Sequence, residues 1–199
     1  MAIYVGEMVG TQNVEADWLT GQILIAMPAM RDARFAQTVI FVCAHTAEGA
    51  MGVVLNRPRR NPKFGDLLKQ LGVAPHPPKR LMQMGAGGPV DDNRGFVLHS
   101  PDWSAEGSME VDGNYVLTAN LEVLSAIANG GGPERGILLL GYVGWEAGQL
   151  DEEIRQNAWL SAPPDEAIVY DSEHGTKWQR ALAKLRIDPG MLSGAAGRA

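Results

Sequence analysis

The chain has 199 residues, of which 45% are hydrophobic and 20% are charged, and its formal net charge is −6 at pH 7. This length allows one substantial core but is short for two, and the composition is ordinary for a soluble globular protein. The net negative charge argues against nucleic acid as the default partner, because phosphate binding needs a concentrated basic surface. No apolar run approaches the ~20 residues that span a bilayer, so we expect no membrane association.

The N-terminus and the cysteine content indicate a cytoplasmic protein. The segment MAIYVGEMVGTQNVEADWLTGQ lacks the basic region and the continuous apolar region of a signal peptide. Cys43 is the only cysteine, which excludes an internal disulfide. Because it lies inside an apolar run, we expect a buried, inert thiol rather than a nucleophile. The sequence has no C-x-x-C, no H-x-x-x-H and no calcium-loop spacing of carboxylates, so we expect neither a metal nor a cofactor.

In chain order, the first predicted elements are three strands, two of them joined as a hairpin. Ile23–Met27 is a short strand, and Thr38–His45 (TVIFVCAH) is a continuous apolar run typical of a strand covered on both faces. Residues 47–50 (AEGA) supply a turn into the next strand, Met51–Asn56. The short connection predicts an antiparallel hairpin, and Pro58 ends it because proline cannot continue a central ladder.

A short helix and a proline-rich linker follow. Phe64–Leu71 (FGDLLKQL) has apolar residues at i, i+3, i+4 and i+7, which predicts one apolar helical face, and Gly72 ends the helix. The stretch Val73–Arg80 is predicted to be a linker. Three further strands are predicted, at Leu81–Met84, Arg94–His99 and Tyr115–Thr118.

The second half of the chain alternates between helices and strands. Asn120 is the predicted N-cap of a helix over Leu121–Ala128. The remaining predictions are a buried strand, an acidic helix, a late strand and a last helix, at Gly136–Val143, Gln149–Leu160, Ala167–Tyr170 and Lys177–Leu185. No internal repeat or long linker divides the chain. We therefore predict one α+β domain with a mixed, mainly antiparallel sheet and several short helices.

Six motifs occur in the order typical of one bacterial protein family. The first, Gly21–Pro58, reads GQILIAMPAMRDARFAQTVIFVCAHTAEGAMGVVLNRP. The others are GGPV, RGFVLHS, LT, GYVGWEAGQLDEEIRQNAWL and KW, at Gly87–Val90, Arg94–Ser100, Leu117–Thr118, Gly141–Leu160 and Lys177–Trp178. On these motifs the chain resembles the YqgE/AlgH family from about Leu19 to its C-terminal end. Val143 departs from the pattern, which has a smaller residue between the two glycines.

The resemblance implies a fold and a broad role but no reaction. It implies a sheet folded as a partial barrel, flanked by short helices, in a single domain over residues 19–199. Residues 1–18 form an N-terminal extension that is particular to this chain. The basic insert Arg57–Lys63 is also particular to this chain. The family has no agreed biochemical activity, and its AlgH members have a proposed role in transcriptional regulation. The resemblance therefore predicts a regulatory protein with a small ligand or a protein as its partner.

Two segments invite a chemical interpretation but favour a structural one. His99, Ser100 and Asp102 are hydrolase residue types, but neighbours on a strand point to opposite faces, so His99 is poorly placed to activate Ser100. There is no G-x-S-x-G elbow. Residues 85–89 (GAGGP) could cradle a phosphate, but Pro89 removes a donor and a strand follows. A tight turn with close backbone packing is favoured there. We predict no catalytic residue.

The stretch Arg57–Lys63 is the dense basic segment of the chain. Its cations could contact phosphates or an acidic partner, and they are Arg57, Arg59, Arg60 and Lys63. Two prolines keep the segment extended, so it cannot serve as a recognition helix. The alternative is a solvated loop, and specific DNA binding is not expected.

Polar residues at strand ends are the candidate ligand site. His45 and Asn56 close the two arms of the predicted hairpin at opposite chain ends, while Trp145 and Gln149 lie where a strand passes into a helix. Glycines in that passage leave room for a ligand to approach. The predicted ligand-binding residues are His45, Asn56, Arg57, Gly141, Trp145 and Gln149. The alternative is that Trp145 fills the core and Gln149 caps a loop.

Three functions stay open on the sequence. The leading hypothesis is a non-enzymatic binding or regulatory protein of the cytoplasm that acts indirectly on transcription, because the short predicted helices lack the basic face of a helix-turn-helix. The alternatives are an enzyme acting on a small polar substrate beside Trp145, or weak direct nucleic-acid binding through Arg57–Lys63.

Overall fold

The structure is a computed structural model and describes residues 19–188, so the predicted N-terminal extension lies outside the described residues. The strands of this part are β1 (Ile23–Ala26), β2 (Val39–Thr46), β3 (Gly49–Val54), β4 (Gln83–Ala86), β5 (Val90–His99), β6 (Met109–Glu110), β7 (Val116–Thr118), β8 (Gly136–Glu146) and β9 (Trp159–Ala162). The helices are α1 (Phe64–Gln70), α2 (Leu121–Ala128), α3 (Gln149–Arg155), α4 (Glu166–Tyr170) and α5 (Lys177–Lys184). None of these described helices is long and apolar enough to cross a membrane.

All nine strands belong to one sheet, which folds into a half-barrel. Its order is β6-β7-β5-β8-β3-β2-β1-β9, with β4 added beside β8. Every pairing is antiparallel except that of β4 with β8. The predicted α+β class and the mixed, mainly antiparallel sheet are therefore confirmed, and so is the hairpin of β2 and β3.

Strand β8 changes partners halfway along its length. Residues 137–140 pair with β4 and β5, and residues 143–146 pair with β3. Between the two halves, Gly141 has φ +76°, a left-handed conformation that favours glycine. A side chain at Gly88 would collide with the carbonyl group of Tyr142, and the N–H of Gly87 donates to Leu140 O at 2.7 Å. The predicted close backbone packing at residues 85–89 is confirmed.

The core has three parts, because helices cover the sheet in three places. Helices α4 and α5 pack against side chains such as Phe41 and Leu98. Helices α1 and α2 cover a second cluster around Leu138. Helix α3 covers a third, which includes Trp145 and Trp159. Full burial of side chains of this size stabilises the fold by about 1.5–3 kcal/mol each.

The predicted helix Gln149–Leu160 was too long. The helix ends at Arg155, because Asn157 adopts a left-handed conformation with φ +57° and the N–H of Ala158 turns back to Glu153 O at 2.8 Å. Asparagine tolerates this conformation better than most residues. The chain then leaves as β9, which pairs with β1 and buries Trp159.

The predicted strand Ala167–Tyr170 was also wrong, because this segment is helix α4. The side chain of Asp165 caps the helix by accepting a hydrogen bond from the N–H of Ile168 at 2.8 Å. Asp165 was a readable start signal. The run AIVY is too short for its period to separate a helix from a strand, and its apolar, β-branched composition favoured the strand. The predicted cap of α2 is confirmed, since Asn120 Oδ1 accepts from the N–H groups of Glu122 and Val123.

Candidate functional site

Three of the six predicted ligand-binding residues come together at one end of the hairpin. In the sheet register His45 pairs with Ala50, and Ala50 pairs with Trp145, so these side chains share one face beneath α3. The Nε2 of His45 lies 3.5 Å from Oδ2 of Asp151 in that helix. Gln149 is the first residue of the same helix.

Glu153 organises the polar side chains of this cluster. Its Oε2 accepts the indole N–H of Trp145 at 2.9 Å and the indole N–H of Trp159 at 2.7 Å. Its Oε1 accepts from the amide of Gln149 at 2.8 Å, and Gln149 Oε1 accepts the N–H of Glu146 at 2.9 Å. Trp145 is buried, and its single polar atom is used within the protein. The cluster fixes α3 on the sheet, and ligand binding by Trp145 or Gln149 stays a prediction.

Asn56 and Arg57 lie at the opposite end of the hairpin. Asn56 Oδ1 accepts the N–H of Val39 at 2.9 Å, and its Nδ2 donates to Gln37 O at 2.8 Å. The guanidinium of Arg57 donates to Ala36 O at 2.6 Å. Both side chains therefore hold the turn that leads into β2, where Gln37 has φ +56°. Gly141 lies at the bend of β8, close to the backbone of Gly88 and Val90, so the six residues do not form one site.

The polar residues at the end of β5 are engaged in structural bonds. His99 Nε2 lies 2.9 Å from Thr118 Oγ1, and Nδ1 lies 2.8 Å from the carbonyl oxygen of Ser100. The hydroxyl of Ser100 donates to the carboxylate of Asp102 and accepts the N–H of Arg135 at 3.0 Å. Burial lowers the pKa of His99, although its hydrogen bond to Ser100 and the charge of Asp102 oppose this. His99 and Ser100 do not make the side-chain bond that a nucleophilic serine needs.

Two further sequence predictions concern reactive and metal-binding groups. Cys43 is a buried free thiol, and burial raises its pKa far above the usual range. Its thiolate is therefore disfavoured at neutral pH. Within residues 19–188, no three His, Cys, Asp or Glu side chains lie close enough together to hold a metal ion.

The basic segment divides into two anchored and two unpaired cations. Arg57 is held by Ala36 O, and Arg59 donates to Asn61 O at 3.1 Å and to Asp92 O at 3.4 Å. Arg60 and Lys63 are exposed, and neither side chain makes a hydrogen bond or ion pair with another described residue. The loop is pinned to β4 through the N–H of Arg59, which donates to Met84 O at 3.0 Å.

A groove of about 470 Å³ runs beside this segment, and we call it the basic groove. Its basic border consists of Arg59, Arg60 and Lys63. Its apolar surface comes from helix α1 and from the linker and strand that follow, through Phe64, Pro77, Pro78, Leu81, Met82 and Met84. Leu81 is 72% exposed. No sequence motif indicated the groove, although the basic segment lies next to an amphipathic helix and a proline-rich linker.

A second cavity, of about 480 Å³, is also lined by Arg60 and Met84, and we call it the His174 cavity. Besides those two residues it is lined by Pro58, Gln83 and residues 172–175. The last segment connects α4 to α5, more than a hundred positions along the chain from Arg60. No sequence motif indicated that these segments meet.

Comparison with known proteins places the chain among relatives of similar length. The AlgH-like family model (DUF179) matches residues 23–190. A UPF0301 protein of Beijerinckia indica is 51% identical over an alignment of 197 residues, which covers 95% of this chain and 96% of that protein. A UPF0301 protein of Rhodospirillum rubrum is 50% identical over 182 residues, with 92% of this chain and 95% of the relative covered.

Two solved structures share the fold. The solution structure of the AlgH protein from Pseudomonas aeruginosa matches with a TM-score of 0.75 and 40% sequence identity, covering 95% of this chain and all of that one. A crystal structure from Corynebacterium diphtheriae matches with a TM-score of 0.68 at 19% identity, covering 92% and 94% of the two chains, and its likeness concerns the fold alone. The family model spans most of the chain and the bacterial relatives cover nearly all of it, so this protein belongs to the AlgH-like family.

Proposed function

We propose that this protein is a non-enzymatic binding protein that takes an acidic, partly apolar segment of another protein into the basic groove. One observation carries the proposal. The groove combines an apolar surface, made by side chains such as Phe64 and Met82, with the unpaired cations Arg60 and Lys63 at its border. A segment that alternates acidic and apolar side chains complements both features at once.

The charge of the groove contrasts with the charge of the whole chain. The net charge is −6, yet four cations fall within seven residues, from Arg57 to Lys63. Asp66 also lines the groove and leaves its net charge positive. Because Arg60 and Lys63 have no carboxylate partner to give up, an acidic partner gains their attraction without breaking an existing ion pair.

A protein segment fits the groove better than duplex DNA. The basic segment is an extended loop that contains Pro58 and Pro62, and it offers no helix for the major groove. Four cations neutralise at most about four phosphates, which gives a slope of log K against log salt no steeper than about −3.6. The apolar surface contributes nothing to phosphate contacts but buries leucine or methionine side chains of a peptide.

The wider role in this proposal is regulatory and cytoplasmic. The buried free thiol of Cys43 suits a reducing compartment. The resemblance to AlgH implies a proposed role in transcription, and a protein partner in the basic groove would make that role indirect. The polar groups of Ser100, His99 and Trp145, which an enzyme would need free, take part in structural bonds and so favour a binder.

Fluorescence anisotropy tests the proposal with a labelled peptide that alternates aspartate and leucine. An equally charged peptide that alternates aspartate and glycine is the control for charge, and a random DNA duplex is the control for polyanions. We expect the leucine peptide to bind most tightly at physiological ionic strength, because its apolar contacts are not screened by salt.

Two double variants test whether the peptide binds in the groove. The double variant Arg60→Glu/Lys63→Glu should lower the affinity for the leucine peptide by about tenfold or more. The matched variant Arg31→Glu/Lys69→Glu changes by the same charge two exposed cations that do not line the groove, and it should leave affinity within about twofold. An equal loss of peptide affinity in both double variants would show that the effect comes from net charge alone. Turnover of a bound small molecule would show an enzyme instead.

A further inference from the structure

The His174 cavity is built by three separate parts of the chain. The loop after β3 contributes Arg60, strand β4 contributes Gln83 and Met84, and the α4–α5 connection contributes residues 172–175. Its volume of about 480 Å³ lies in the usual range of small-molecule sites, about 300–1,000 Å³. Its walls are richer in hydrogen-bonding groups than those of the basic groove, which points to a small polar ligand.

Two groups on the cavity wall have bonding capacity that the described residues do not use. The guanidinium of Arg60 makes no hydrogen bond or ion pair with them. The Oε1 of Gln83 is buried and lacks a partner among residues 19–188. A buried amide oxygen without a partner destabilises the fold, so a bound donor would recover free energy. The terminal torsion of glutamine is soft, and the amide can turn its oxygen toward the cavity.

His174 adds a second acceptor. Its Nδ1 lies 3.4 Å from the carbonyl oxygen of Leu55. A carbonyl only accepts, so Nδ1 carries the proton and Nε2 offers a lone pair. Burial, followed by the charge of Lys177, lowers the pKa of His174, although the hydrogen bond to Leu55 and the charges of Asp171 and Glu173 oppose the shift. The lowered pKa keeps the ring neutral at pH 7. The ring therefore suits a hydroxyl donor.

We propose that the His174 cavity binds a small hydroxycarboxylate. The carboxylate would pair with Arg60, and a hydroxyl group would donate to Gln83 Oε1 or to His174 Nε2. Glu173 also lines the cavity, and its negative charge disfavours phosphate esters and other dianions against a singly charged ligand. This site shares Arg60 and Met84 with the basic groove, its other lining residues are separate, and its ligand belongs to another chemical class.

Glycerate is a suitable probe, because it carries one carboxylate and two hydroxyl groups. Propionate keeps the carboxylate without a hydroxyl, and glycerol keeps hydroxyls without a charge. We expect calorimetric titration of the full chain to show glycerate binding at least about tenfold tighter than either control compound, because each control leaves one side of the cavity unsatisfied. Equal affinity for glycerate and propionate would overturn the proposal.

Neighbouring arginines provide matched variants. Arg60→Gln should abolish measurable glycerate binding, and Arg59→Gln should preserve it, because Arg59 lines the basic groove and not this cavity. His174→Gln should lower the affinity for glycerate about tenfold and leave the affinity for propionate unchanged. A purely structural role of His174 would not affect the two affinities differently. Retention of glycerate affinity in Arg60→Gln would place the ligand elsewhere and contradict the assignment.

The peptide proposal and the glycerate proposal can be tested independently of each other. Lys63 lines the basic groove but not the His174 cavity. Lys63→Glu should therefore weaken binding of the aspartate–leucine peptide and leave the affinity for glycerate within about twofold. Loss of glycerate binding in that variant would contradict the separation of the two sites.

Discussion

Trp145 and Trp159 meet edge to face, with ring centroids 6.2 Å apart and ring planes at 81°. Both donate their indole N–H to the same oxygen of Glu153. The two tryptophans come from different strands, β8 and β9, which lie at different places in the sheet order. One carboxylate in α3 thereby ties a helix to two strands that are not hydrogen-bonded to each other.

Glu153→Ala should destabilise the protein by about 2 to 4 kcal/mol, because it leaves two largely buried indole donors without an acceptor. Urea unfolding measures the loss. Glu152→Ala is the matched control on the same helix, since Glu152 is exposed and bonds only to exposed side chains. We expect that control within about 0.5 kcal/mol of the parent protein. Equal losses for the two variants would contradict the bridging role of Glu153.

Gly141→Ala should destabilise the fold severely, by about 3 kcal/mol or more. The residue has φ +76°, and a Cβ there would lie 2.5 Å from Gly88 O. Gly107 has a similar φ of +78° but nothing within 4 Å of the added atom. Gly107→Ala should therefore show only the conformational cost, about 1 kcal/mol. Thermal unfolding of the two variants separates crowding from backbone strain, and similar melting temperatures would show that the close packing carries no cost.

Asn56→Ala should cost about 2 kcal/mol of stability, because the N–H of Val39 and the carbonyl of Gln37 both lose a partner at a largely buried position. Asn114→Ala removes an exposed amide and should be close to neutral. Hydrogen exchange adds a local readout, since the amide of Val39 should lose protection in Asn56→Ala. Unchanged protection at Val39 would assign Asn56 a different role.

The stability of the protein should depend on pH through Lys177. This side chain is fully buried, and burial lowers its pKa from 10.5 to about 8, although Asp171 at 3.8 Å opposes the shift. Between about pH 8 and 10.5 the unfolded chain binds a proton that the folded protein does not, so stability rises with pH across this window. The shift corresponds to a gain on the order of 3 kcal/mol.

The check is the difference in unfolding free energy between the parent protein and Lys177→Met, measured across that pH range. The difference should grow in favour of the parent protein as pH rises. Lys69→Met, which changes an exposed lysine, should give a flat difference. A flat line for Lys177→Met as well would mean that Lys177 titrates alike in the folded and unfolded protein.

Much of the fold could be read from hydrophobic pattern and local start signals. The apolar run that became β2 and the turn after it predicted the hairpin, and Asn120 marked the start of α2. The failures fall where local signals are weak or conflict. A left-handed Asn157 ended a helix whose apolar spacing favoured continuation, and the four residues of β9 are a strand only because they pair with β1.

The candidate site was harder to predict, because its parts meet only in the folded chain. Local sequence singled out the basic segment through its charge density. It did not show that Leu81 would border the same groove, or that His174 and Arg60 would line the same cavity. Conversely, Asn56 looked like a ligand-binding residue at a strand end, and in the fold it holds the turn at Gln37.

Amide chemical-shift mapping with the aspartate–leucine peptide tests the central claim most directly. The ¹⁵N-labelled protein is titrated at physiological ionic strength, where non-specific charge contacts are screened. The proposed binding mode predicts the largest shifts at residues 59–66 and 81–84, with the indole signals of Trp145 and Trp159 unchanged. Absence of binding, or shifts centred on Trp145 and residues 149–153, would contradict the basic groove as the working surface of this protein.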